Sequence, residues 1–180
     1  MGVVLRERGV PMNILEDENI RDLTLQSFMG STLFQHTFDE GMGLVEETAR
    51  YLDGPGREEQ RHLPRKTAML YAGESMRVTT RLMQAASWLL VQRAVHEGDM
   101  KLEDAQSDRY RLGSKEICFG GGPVSDIENL PPTLQELLER SDNLYRRIAR
   151  LDDVLFGNVA APAGARGAMK MLEQAFSGQP

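Results

Sequence analysis

The stretch from Pro64 to Glu97, PRKTAMLYAGESMRVTTRLMQAASWLLVQRAVHE, holds one glycine and no proline after its first residue. Proline suits a first helical turn, and Gly98 suits a stop just past the end. The stretch therefore predicts one helix, roughly 50 Å long at 1.5 Å per residue. Met69, Ala72, Met76, Thr79, Met83, Ala86 and Leu90 step down one side by threes and fours. Tyr71, Val78, Leu82, Ala85 and Leu89 form a second stripe beside it. The remaining face reads Glu74, Arg77, Arg81 and Gln84, then Trp88, Val91 and Val95. The first half is amphipathic and the second half is apolar almost all round, a pattern that demands burial on every side. Two shorter helices cannot cover such a segment. Trp88, Val91 and Val95 are therefore expected to meet a second copy of the chain, since a symmetric pair needs only one self-complementary patch.

Two further helices are legible. Phe34, Phe38, Met42, Val45, Ala49 and Leu52 recur at helical spacing after Ser31, a good N-cap, and the run stops at DGPG, residues 53–56. Gly41 and Gly43 inside it each cost up to about 1 kcal/mol relative to alanine, which points to close approach of a neighbouring helix. Later, Leu134, Leu137, Ser141, Leu144, Ile148, Leu151 and Leu155 form a heptad seam, with Thr133 and Glu136 spaced as a capping box and Gly157 as a stop. The expectation is an all-α, antiparallel three-helix bundle with helices near 31–53, 64–97 and 132–156. Residues 1–30 read as a leader, 31–157 as the domain and 158–180 as a flexible tail. Residues 98–130 have no period and read as a flexible loop, unusually long for a compact domain. Met169, Leu172 and Phe176 in the tail could form a short amphipathic helix, a candidate docking segment.

Composition narrows the function. A net charge of −6 argues against broad nucleic-acid binding, which needs a basic face. No apolar run approaches the length of a membrane span, and the start lacks a secretory h-region. Cys118 is the single cysteine, so no internal disulfide can form, which fits a reducing, cytoplasmic setting. GGGP at 120–123 lacks the Lys-Ser/Thr of a phosphate loop. Glu59-x-x-His62 occurs once, whereas di-iron bundles need two copies and two more glutamates. His36 and Glu40 read as an exposed pair, and Cys118 as an incidental thiol. Arg140, Arg146, Arg147 and Arg150 make a basic cluster that could face an acidic partner. No catalytic constellation, cofactor site or metal site emerges, and the chain is expected not to be an enzyme.

The strings TLFQHTFDEGMGLVEETARYLDGPGR, ESMRVTTRLMQAASWLLVQRAVHEGD and SDNLYRRIARLD resemble the RcdA family, regulators of CtrA degradation. The resemblance runs from about Ser31 to Leu155 and leaves out the leader and the tail. It implies a homodimeric three-helix bundle without enzymatic activity. It also implies an adaptor that delivers cell-cycle regulatory proteins, its cargo, to the ClpXP protease together with a response-regulator-like partner, CpdR. The alternative is a structural or assembly dimer with no link to a protease.

Overall fold

The computed structural model describes residues 27–119 and 126–156. Among them the regular elements are all helical, and no strand occurs. Three long helices carry the architecture: α1 (Thr32–Asp53), α3 (Arg65–Glu97) and α6 (Pro132–Phe156). Short helices α2 (Pro55–Arg61), α4 (Leu102–Ala105) and α5 (Lys115–Phe119) fill the connections, with single 3₁₀ turns at Asp108–Tyr110 and Ile127–Asn129.

The helix ends follow the local chemistry. Ser31 caps α1 by accepting the Phe34 amide at 3.2 Å. Gly98 closes α3 in the left-handed conformation, φ 81°, where a side chain would be strained. Pro132 opens α6, so Thr133 lies inside the helix rather than capping it, and Glu136 pairs with Arg140 instead. The charged link after α1 is itself helical as α2, where Tyr51 donates to Glu59 at 2.7 Å.

The core is built from one side of each long helix. Leu44, Val78, Leu89, Leu134, Leu144, Tyr145, Ile148 and Leu151 are essentially inaccessible. Phe28 and Met29 join them, with the Phe28 ring edge-on to Phe34 at 5.9 Å, so the packed unit begins before Ser31. The beginning of the chain through residue 26 and the tail from 157 lie outside the described residues.

Helix directions depart from the expected alternation. Gly41 of α1 faces Leu89, while Tyr51 at the other end lies beside Gly56 and Tyr71, so α1 runs antiparallel to α3. Glu40 pairs with Arg147 and Glu47 with Arg140, so α1 is also antiparallel to α6. Between α3 and α6, however, Arg81 meets Leu138 and Asp142, and Trp88 meets Asp152. These two helices run parallel. At 1.5 Å per residue, the start of α6 then lies roughly 35 Å back from Glu97. A short hairpin cannot make that return.

This is why residues 98–131 are long, and it corrects their reading as a loose loop. Most of the segment is a strap laid along the bundle. Tyr145 donates to the Gly113 carbonyl at 2.6 Å, and the Gly113 amide donates to Gln84 at 3.2 Å. Arg81 Nε and Nη2 donate to the Cys118 carbonyl at 3.0 and 2.9 Å. Lys66 reaches Asp126 at 2.7 Å, close to the start of α6. The glycine run at 120–123 falls outside the described residues.

Candidate protein-docking face

The residues singled out for chemistry are dispersed and occupied. Glu59 is engaged by Tyr51, and His62 sits against the Glu58 carbonyl at 2.9 Å. Glu40 pairs with Arg147 rather than with His36. Cys118 is fully buried, and burial pushes its thiol above the ordinary range. In the basic cluster, Arg140 bridges Glu47 and Glu136, while Arg146 pairs with Asp142 at 2.6 Å and lies over the Phe119 ring. The cluster is thus largely neutralised within the chain. Among the described residues no three His, Cys, Asp or Glu side chains are grouped to hold a metal ion. A shallow hollow of about 290 Å³ lies between the start of α1 and the end of α3, but its charged side chains Arg93 and Glu97 bond one another at 2.7 Å.

The unusual surface is on α3, and its polarity is inverted. The stripe that carries charge in the sequence faces inward. Glu74 and Arg81 are 3% and 8% exposed, and Gln92 is fully buried. Arg81 is tolerated there because strap and α6 carbonyls take its N–H groups and Asp142 balances its charge at 2.9 Å. Burial still pulls the guanidinium below its ordinary pKa. Glu74 keeps Arg77 at 3.2 Å as its partner. Meanwhile the stripe of methionines faces outward: Met69, Met76, Met83 and Leu90 are 71%, 72%, 57% and 52% exposed.

From Met69 to Leu90 the outward side of α3 carries no charge. Its heptad line Met69, Met76, Met83 and Leu90 is flanked by Ala72, Thr79 and Ala86 and then by Gly73, Thr80 and Ser87. The threonine hydroxyls add little polarity, because Thr79 donates to the Ser75 carbonyl and Thr80 to the Met76 carbonyl, each at 2.8 Å. A side chain at Gly73 would meet nothing within 4 Å, so no packing inside this chain calls for glycine there. Small residues beside a large-residue line let another helix approach closely, and seven-residue spacing is the pattern that matches a facing helix. A contiguous apolar strip of this kind is a candidate interaction surface.

The residues expected to meet a second copy lie elsewhere. Trp88 is 1% exposed, packed in the chain's own core with its indole N–H on Asp152. Val91 and Val95 are half-buried. Trp88 is therefore no surface anchor: the strap and α6 cover the face to which it belongs. The methionine line was visible in the sequence, but periodicity alone did not say which of three faces stays uncovered. Met169, Leu172 and Phe176 lie outside the described residues.

Fold and surface together define a helical bundle with an uncharged, exposed face on one long helix. The family described as "Protein of unknown function (DUF1465)" matches residues 25–176. No curated protein matches the chain. Among solved structures, RcdA from Caulobacter crescentus CB15 is 48% identical, with a TM-score of 0.60, covering 74% of this chain and 99% of that one. The chain belongs to this family, that of RcdA. The match to residue 176 takes in Met169, Leu172 and Phe176, beyond the span in which the resemblance was legible.

Proposed function

We propose that this protein is a non-enzymatic adaptor that brings cell-cycle regulatory proteins to the ClpXP protease, acting in the cytoplasm with a response-regulator-like partner. The observation that carries the reading is 48% identity across 99% of the RcdA chain. An adaptor needs surfaces rather than an active site. Holding cargo beside a protease raises its effective concentration and can raise apparent affinity by orders of magnitude. In this reading the chain is a homodimer, and the uncharged α3 face, centred on Met76 and Met83, is where two copies meet. Met169, Leu172 and Phe176 act as a second, helix-in-groove docking segment.

The test is a reconstituted degradation assay containing the protease, the response-regulator-like partner and candidate cargo. Adding the full chain should speed cargo turnover. Truncation after Gly157 should preserve the fold and the dimer while slowing delivery of at least some cargo. Unchanged turnover with every cargo tried would overturn the adaptor reading. The self-matching heptad line on α3 favours a second reading, a purely structural dimer. That reading predicts association of the chain with no effect in the same assay.

A further inference from the structure

We propose that Met69, Met76 and Met83 form an oxidation site, and that converting their thioethers to sulfoxides separates the chain from the second copy on the α3 face. The consequence rests on the dimer reading above; the chemistry rests on the sulfur atoms alone. The three side chains are 71%, 72% and 57% exposed. Among the other described sulfurs, Met29 is at 4% exposure and Cys118 at 0%, while Met42 and Met100 are half-buried. The Cys118 thiol is also held in its protonated, unreactive form by burial, so it competes poorly for an oxidant. The seven-residue spacing sets the three sulfurs on one line, about 10 Å apart.

The oxidant is a peroxide. The thioether sulfur attacks one peroxide oxygen with a lone pair, an S–O bond forms and the O–O bond breaks. The second oxygen departs as hydroxide and takes the proton carried by the attacked oxygen, giving water and a neutral sulfoxide. Sulfur loses two electrons and the peroxide gains two. The product is a polar, chiral sulfoxide in place of a flexible apolar side chain. The threonines beside Met76 and Met83 cannot satisfy the new oxygens, because the Thr79 and Thr80 hydroxyls already donate to the Ser75 and Met76 carbonyls. Packing these sulfoxides against an apolar partner leaves strong acceptors buried without donors, which is costly. The coupling is reciprocal: a paired face covers the thioethers, so the oxidant acts on the separated chain.

The experiment treats the full chain with graded hydrogen peroxide and follows each methionine by mass spectrometry and association by sedimentation. In dilute protein, Met69, Met76 and Met83 should oxidise roughly tenfold or more faster than Met29 and slow as concentration drives pairing. The dissociation constant should rise roughly tenfold or more on oxidation and recover with methionine sulfoxide reductase. A chain carrying Met69→Leu, Met76→Leu and Met83→Leu should pair equally before and after peroxide. Circular dichroism checks its fold, and Met76→Leu alone serves if the triple variant is impaired. Unchanged association of the oxidised wild type, or equal loss in the leucine variant, would overturn the proposal. A chain already monomeric at high micromolar concentration before peroxide overturns the dimer reading itself, and the switch with it.

Discussion

The indole N–H of Trp88 donates to Asp152 Oδ1 at 2.9 Å, and both residues are 1% exposed. Arg111 from the strap closes on the same carboxylate, with Nε 2.9 Å from Oδ1 and Nη2 2.9 Å from Oδ2, and its Nη1 reaches the Phe156 carbonyl at 3.0 Å. One buried carboxylate thus ties together α3, α6 and the strap. Removing it strands an indole donor and a guanidinium, so Asp152→Ala should lower unfolding free energy by about 3 kcal/mol. Trp88→Ala should cost about 3–5 kcal/mol through the cavity it opens. Urea denaturation followed by circular dichroism measures both. If Trp88→Ala instead left stability intact and altered only self-association, its place in the core would be wrong.

The outward face of α3 predicts the opposite pattern. Met76 is 72% exposed, so Met76→Glu should change the stability of the single chain by no more than about 0.5 kcal/mol. A charge placed in the middle of the heptad line of both copies should weaken pairing by roughly 2 kcal/mol or more. Sedimentation and denaturation on the same variant separate the two effects. Pairing that survives the substitution would move the interface off this face.

The contrast between Trp88 and Met76 shows what the sequence carries. The three long helices were legible to within a residue because Ser31, Pro64 and Gly98 are local signals and the heptad seam from Leu134 to Leu155 spans the third, although its start is set by Pro132 and not by a cap at Thr133. The stripe Tyr71, Val78, Leu82, Ala85 and Leu89 was legible as core because it is apolar on any reading. The roles of the other two stripes were not. Charge on Glu74, Arg77 and Arg81 suggested a wet face, yet Arg81 is held by the carbonyls of Cys118 and Leu138. Those acceptors are in place only because α6 runs parallel to α3 and the strap crosses between them. That topology is a long-range property, and no spacing within one helix encodes it.

Two glycines in α1 test how closely the helices meet. A Cβ on Gly41 would come within 2.8 Å of Leu89 Cδ1 and 3.6 Å of Leu144 Cδ2. Gly41→Ala should therefore destabilise the bundle by about 1–3 kcal/mol despite alanine's better helix propensity. A Cβ on Gly43 would meet nothing within 4 Å, so Gly43→Ala should gain up to about 1 kcal/mol. Thermal melts should move in opposite directions for the two variants. The sequence gives both glycines the same reading, and only the packing separates them.

The strap makes the last prediction. Loop length by itself has a weak effect on stability, since closure entropy grows only logarithmically. Here geometry sets a floor instead. Spanning the roughly 35 Å from the end of α3 to the start of α6 takes about 11 residues even when fully extended. Replacing 99–131 with a Gly/Ser linker shorter than that should force α6 to reverse or to leave the bundle. A linker of about 25 residues restores the reach but not the contacts. It loses the Cys118 carbonyl that accepts from buried Arg81 and the Arg111 clamp on Asp152. The long-linker chain should therefore fold with the same helix directions but lose several kcal/mol, because buried Arg81 and Asp152 are left short of partners. Adding Arg81→Met to it should recover part of the loss by removing the stranded charge. Urea midpoints rank the chains, and distances between spin labels at exposed Met69 and Glu136 report whether α6 still runs alongside α3 in the same direction. An unchanged distance with the short linker would show that the two helices are antiparallel after all.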